Sequence, residues 1–295
     1  MKPAPFEYSR PSHVDEACAL LAEDDGARII AGGQTLVPMM AMRLSRPTRL
    51  VDIARIAALS FVRAKEGAVA IGATTRQCAV ERDPIVREKV PLLAKVLPFV
   101  GHAPTRARGT IGGSLANADP AAEIALVAVT LGATFVYRVA GKMEKIEAAD
   151  FFVGPLITAL PSGSCLTAVR FPVWPEQRVG VGFHEINARK SDFAFVSAAA
   201  QVALDEEGIC RRMAVAVGAV MDTPLRLTAI ETAFTGRRVT ETDLRGAVNQ
   251  VLSFTEFISD LHASAEYRQR TAETLAVRAV MDALAQAQAV TVDAH

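Results

Sequence analysis

The chain has 295 residues, enough for two or three domains with a substantial core, which excludes a stapled mini-protein. Its 32 basic and 32 acidic residues leave a formal charge of zero, arguing against a general basic field for nucleic acid or anionic lipid. With 51% hydrophobic, 22% charged and 6% aromatic residues, the sequence is globular with a core of Ala, Val, Leu and Ile, and disorder is excluded as its dominant state.

Ser12 and Asp15 form a variant capping box that opens a helix ending near Glu23. Residues 28–31 read as a buried strand that stops at Gly32-Gly33, residues 36–44 as a helix with Pro38 in its first turn, and residues 50–53 as another strand. Together they make a βαβ unit with an expected right-handed crossover. Residues 61–64 and 69–72 flank a Glu66-Gly67 turn as a hairpin, where a second subdomain begins. Thr74 with Gln77 is expected to cap the next helix, and Asp83-Pro84 to start another with Ile85, Val86, Leu92, Leu93 and Val96 on its apolar face, ending near Gly101. Past a loop, Asp119-Pro120 reads as the start of a helix to Leu131, followed by strands at 134–139 and 166–171.

Pro172 and Pro175 bracket the only Trp in a stretch that suits an interdomain connection. Beyond it Val196, Ala198, Ala200, Val202 and Leu204 alternate with smaller and polar residues, and Asp205, Glu206, Glu207 and Gly208 turn the chain into a hairpin partner at 213–220. The tail is helical at 227–234, 244–252 and 265–286. The expected class is α+β, with units at 1–57, 58–176 and 177–288. The longest uncharged apolar run, residues 124–137, is shorter than the roughly 18 needed to cross a bilayer. Lys2, Glu7 and Arg10 precede any apolar run, so no membrane span, no secretory leader and a cytoplasmic location are expected.

Cys18, Cys78, Cys165 and Cys210 are widely spaced, and His13, His102, His184, His262 and His295 form no pair at ligand spacing, so no iron-sulfur or zinc site is expected in the chain. Two glycine doublets carry more information. Ile30, Ala31, Gly32, Gly33, Gln34, Thr35 and Leu36 run from an apolar strand into a helix start, where missing Cβ atoms and free N–H groups would suit a phosphate. Gly109 to Glu123 repeats the arrangement, with Thr110 and Ser114 around Gly112-Gly113 and then Asn117, Asp119 and Glu123 as polar partners for a ribose or adenine. Two such loops fit a dinucleotide stretched across the crevice between subdomains. Each doublet also reads as a simple turn, and Asp119 as a helix cap.

The residues Ala31-Gly32-Gly33-Gln34-Thr35 resemble the AGGQS or AGGHS motif, and Thr110-Ile111-Gly112-Gly113-Ser114 the TIGGS or TIGGN motif, of the FAD-binding medium subunits of molybdenum hydroxylases. The resemblance extends through Phe6-Glu7-Tyr8, Arg43-Leu44, Val51-Asp52-Ile53, Gly101-His102, Arg106 and Ala188-Arg189-Lys190-Ser191-Asp192-Phe193-Ala194. It implies a two-subdomain FAD-binding domain of the vanillyl-alcohol oxidase type, followed by a C-terminal antiparallel sheet with a helical bundle. By that resemblance residues 31–36 and 110–114 would hold the diphosphate of a noncovalent FAD, Asn117 and Glu123 would lie near its ribose and adenine, Gly101 and Leu160 near the flavin, and Lys190 would approach the isoalloxazine. It further implies a small [2Fe-2S] subunit and a large molybdenum-cofactor subunit as partners, in a dimer of heterotrimers, with electrons passing through FAD to an external acceptor. Thr35 stands where Ser is usual, Ala107 where Asn is common and Phe193 where Tyr is common. A self-contained FAD-dependent oxidoreductase and a cofactor-free scaffold subunit are the alternatives.

Overall fold

The computed structural model describes residues 2–290. The first part contains β1 (Glu7–Ser9), α1 (Val14–Glu23), β2 (Arg28–Ile30), α2 (Leu36–Ala41) and β3 (Arg49–Asp52). Its strands form a parallel sheet in the order β1-β3-β2. The α1 cap lies one residue beyond the expected one: His13 Nδ1 accepts from the Glu16 N–H, and the Glu16 carboxylate reaches back to the Ser12 N–H at 2.8 Å. This is the reciprocal logic of a capping box, shifted in register. Strand β2 is only half-buried because it lies at a sheet edge.

The middle part follows as β4 (Val62–Lys65), β5 (Ala68–Gly72), α3 (Gln77–Arg82), α4 (Pro84–Lys89), α5 (Pro91–Val96), α6 (Ala103–Arg108), α7 (Ile111–Asn117) and α8 (Glu123–Leu131). It continues with β6 (Thr134–Val139), β7 (Lys142–Glu147), α9 (Ala148–Phe151), β8 (Phe152–Gly154), β9 (Ile157–Thr158) and β10 (Cys165–Pro172). Five strands form an antiparallel sheet in the order β4-β5-β10-β6-β7. The single helix expected after Asp83 is two, because Pro91 removes a donor and opens a new first turn. Helix α8 starts at Glu123, later than expected: Asp119 Oδ1 accepts from the Ala121 N–H and holds a turn instead of capping the helix. The expected Thr74 cap is also absent, since Thr74 is buried with its hydroxyl unpartnered and α3 begins at Gln77.

The C-terminal part contains β11 (Arg178–Asn187), β12 (Ala194–Leu204), β13 (Cys210–Gly218), β14 (Leu225–Arg226), α10 (Thr228–Phe234), α11 (Glu241–Leu252) and α12 (Ala265–Ala289). Its four strands pair antiparallel in chain order. Strand β12 is buried on both faces: one packs on α12, while the other packs on α5 and α8, so that Phe183, Ala199 and Ala216 share a core with Leu93, Leu126 and Val127. Gly180 and Gly182 explain how α12 lies so close, because a Cβ on either would run into the helix carbonyls of Ala283 or Ala279. Buried Arg268 locks α12 in place, donating to the carbonyls of Phe195 and Ala219 and pairing with Asp260 at 2.6 Å. Trp174, in the segment joining the last two parts, is docked against Ala203 and Ala214 beneath the Arg212 guanidinium, 4.3 Å from its ring.

Candidate functional site

A cleft of about 690 Å³ opens where the first and middle parts meet, and the β11–β12 loop closes one side. Two glycine segments form its floor. The first, residues 30–36, leaves β2 and enters α2, turning at Gly33, where φ is +70°. Among the described residues, the N–H groups of Gly32, Gly33, Gln34, Thr35 and Leu36 donate to no acceptor of the chain, and all five residues line the cleft. Successive unpaired donors converging on a concavity form an anion-binding nest.

The second segment, residues 109–114, looks similar in sequence but is built differently, because its doublet lies inside the first turn of α7. Its donors are spent within the protein. Ile111 N–H donates to the Thr75 carbonyl at 3.1 Å, Gly112 N–H to the Ala73 carbonyl at 2.9 Å, Gly113 N–H to Thr110 Oγ1 at 3.0 Å and Ser114 N–H to the Thr110 carbonyl at 3.1 Å. What remains for a ligand is the hydroxyls of Thr110 and Ser114, both on residues lining the cleft.

The segments come together closely. A Cβ on Gly32 would lie 2.5 Å from the Arg108 carbonyl oxygen and 2.9 Å from Gly109 Cα, so this glycine is needed where one loop crosses the other. Gln77 supports the crossing from below: its backbone N–H donates to the Gly109 carbonyl at 3.0 Å and its side-chain amide to the Thr110 carbonyl at 3.4 Å. Its Oε1 is buried without a partner, and Gln77 itself is a wall of the cleft.

Every residue singled out from the sequence as a site residue lines this cleft except Lys190: Ile30, Ala31, Gly32, Gly33, Gln34, Thr35, Leu36, Gly101, Thr110, Gly113, Ser114, Asn117, Glu123 and Leu160 all do. Lys190 is exposed, and the loop turns at Ser191 (φ +71°) so that Ser191, Asp192 and Phe193 reach the cleft in its place. Gln77, His102, Thr105, Ser162 and Ser164 line it without having been identified as site residues, since isolated polar residues at loop and helix starts give no spacing signal. Glu123, the first residue of α8, is nearly buried, and desolvation pushes its carboxyl up to about 7. Among the described residues no group of His, Cys, Asp or Glu is placed to hold a metal ion, and no helix is long and apolar enough to cross a membrane; His295 lies outside those residues.

The cleft thus joins an anion nest, two hydroxyls and apolar walls from Ile29, Leu36, Leu160 and Leu166, with a volume suited to an elongated cofactor. Residues 4–174 match the family described as the FAD binding domain in molybdopterin dehydrogenase, and residues 182–283 match the CO dehydrogenase flavoprotein C-terminal domain. The chain is 35% identical over 285 residues to caffeine dehydrogenase subunit beta of Pseudomonas sp. strain CBB1, covering 95% of each chain. It is 32% identical to the carbon monoxide dehydrogenase medium chain of Afipia carboxidovorans, covering 98% of this chain and all of that one. Among solved structures, quinoline 2-oxidoreductase from Pseudomonas putida 86 superposes with a TM-score of 0.91 at 34% identity, covering 97% of this chain and 99% of that one. Reconstituted CO dehydrogenase from Oligotropha carboxidovorans gives 0.93 at 31% identity, with 97% and 100% covered. With both parts of the architecture matched along nearly its whole length, the chain belongs to the FAD-binding medium subunits of the molybdenum hydroxylase family of dehydrogenases.

Proposed function

We propose that the chain binds FAD noncovalently in this cleft, as the electron-transfer subunit between a small [2Fe-2S] subunit and an external acceptor. The carrying observation is that residues 32–36, whose N–H groups have no partner among the described residues, line one cleft together with Thr110 and Ser114. Bound FAD would supply the redox chemistry, receiving electrons that originate at the molybdenum cofactor of a large subunit and pass through the [2Fe-2S] centres.

The chain's own work is binding, orientation and exclusion of water. The nest at residues 32–36 neutralises the diphosphate, and the Thr110 and Ser114 hydroxyls bond it from the other side. Asn117 and Glu123 lie toward the ribose and adenine, Gly101 and Leu160 toward the flavin, and Lys190 approaches the ring only if the β11–β12 loop rearranges when the cofactor binds. In this reading residues 1–57 and 58–176 are the two halves of the cofactor domain, and 177–288 forms the third wall. The assembly is read as a cytoplasmic dimer of heterotrimers; the medium-chain relatives support the presence of further subunits, and four free cysteines in this chain suit a reducing compartment. Acid precipitation of the purified chain is expected to release FAD into the supernatant. Flavin retained in the pellet, FMN in place of FAD, or a protein without a flavin band after reconstitution would overturn this reading.

A further inference from the structure

The wall of the cleft at Gly101 is held from behind by a charged side chain. Arg106, in α6, does not line the cleft, whereas Gly101, His102 and Thr105 from the same stretch do. Its guanidinium makes three bonds. Nε donates to Glu81 Oε2 of α3 at 2.8 Å, while Nη1 donates to the Val100 carbonyl at 3.2 Å and to the Gly101 carbonyl at 2.9 Å. The ion pair is largely covered, with side chains 12% and 23% exposed, so it holds its geometry better than a solvated pair such as Lys65 with Glu66, at 80% and 61%.

Tying α6 to α3 needs only Nε; the bonds of Nη1 have a consequence for the cleft. In a trans peptide the C=O and the N–H point in opposite directions. Holding the Val100 carbonyl on Arg106 therefore turns the Gly101 N–H away from Arg106, and holding the Gly101 carbonyl does the same for the His102 N–H. Among the described residues neither N–H has an acceptor, and both residues line the cleft. Gly101 makes this turn at φ +51°, where a side chain would be strained and its Cβ would meet Thr105 Cβ and Cγ2 at 3.3 Å.

We infer that Arg106 is a positioning residue of the cofactor cleft: anchored by Glu81, it orients the Val100–Gly101 and Gly101–His102 peptides so that their N–H groups face the flavin and favour its reduced form. Arg106 acts only through this backbone. Donors aimed at the ring gain strength on reduction, because the ring oxygens and nitrogens then carry more negative charge. The guanidinium charge itself adds little, since Glu81 neutralises it at 2.8 Å. The inference rests on the reading of this cleft as the FAD site, with the flavin at Gly101.

The test loads the full chain with FAD, measures the midpoint potential of the bound flavin against redox dyes, and follows the Gly101 amide by 15N-glycine labelling with and without FAD. In the wild type, FAD should slow exchange of the Gly101 amide with solvent. Arg106→Met, which keeps much of the length and donates no hydrogen bond, should still bind FAD through residues 32–36. Its midpoint potential should fall by about 30 mV, equivalent to a tenfold loss in affinity for reduced relative to oxidised flavin in a two-electron couple. Its Gly101 amide should exchange rapidly even with FAD bound. Arg106→Lys keeps the charge but cannot reach Glu81 and both carbonyls together, so its potential should also fall and its Gly101 protection should weaken; it decides the matter where Arg106→Met does not fold. Glu81→Gln still accepts from Arg106 Nε and should keep the Gly101 amide protected. Wild-type potential and Gly101 protection in the Arg106 variants, with only the melting temperature lowered, would reduce the pair to a strut and leave the FAD site standing. A potential that follows charge alone, unchanged in Arg106→Lys and raised in Glu81→Gln, would equally overturn the positioning role. A wild-type chain that takes up no FAD removes the FAD reading itself, and the role of Arg106 with it.

Discussion

The two glycine segments, Ala31-Gly32-Gly33-Gln34-Thr35 and Thr110-Ile111-Gly112-Gly113-Ser114, look interchangeable in sequence and are opposites in structure. The first leaves five backbone donors unspent around a positive-φ glycine, while the second pairs its donors with Ala73, Thr75 and its own Thr110. The difference arises in what precedes each doublet. Strand β2 ends at Ile30 and leaves the next residues without a ladder, whereas Thr110 bridges to Arg76 and caps α7 at once. A doublet of glycines therefore marks close approach, but whether to a ligand or to the protein's own backbone depends on the partners around it. In the first loop the free donors form the proposed seat beside a crossing that Gly32 permits, and in the second the chain forms a brace.

Substitutions should separate seat from brace. The largest effect is expected for Gly32→Ala, because the added Cβ meets the backbone of Arg108 and Gly109, which cannot move as a side-chain tip can. A loss of about 2–4 kcal/mol in denaturant unfolding is expected, together with loss of FAD. Thr110→Ala should cost about 1 kcal/mol through the lost α7 cap, measured equally with the flavin stripped. Its FAD-dependent gain in melting temperature should shrink only in part, because the nest remains. Ser114→Ala should leave the stripped chain's melting temperature unchanged, since its hydroxyl has no partner among the described residues, and weaken FAD binding several-fold through one lost hydrogen bond. If Ser114→Ala abolished binding while Gly32→Ala left it intact, the roles of the two loops would be reversed.

The elements that local pattern specifies were legible from the residues alone. The apolar run before Gly32, the strand ending at Ile53 and the hairpin around Glu66-Gly67 all lie within two residues of the observed elements. Strand β7 gave no signal because Lys142–Glu147 lies at a sheet edge with almost every side chain in water, so no alternation is required. Strand β11 was hidden by Gly180 and Gly182, whose reason is the backbone of α12 a hundred residues later. Helix α7 was missed because glycines are poor helix formers, and here Gly112 is demanded by contact with Ala73, whose Cβ a side chain at that position would meet at 2.5 Å. In the cleft, the paired motifs mark two segments that line it, but Gln77 supports their crossing through contacts that no spacing in the chain records.

The most direct test of the seat-and-brace account is to observe the backbone amides themselves. In the full chain labelled with 15N-glycine, addition of FAD to the stripped protein should shift the amide resonances of Gly32 and Gly33 strongly and slow their exchange with solvent. The amides of Gly112 and Gly113, already bonded to Ala73 and Thr110, should keep their hydrogen-bonded character with or without the cofactor. Large shifts and new protection at Gly112 and Gly113, with Gly32 and Gly33 unmoved, would contradict it.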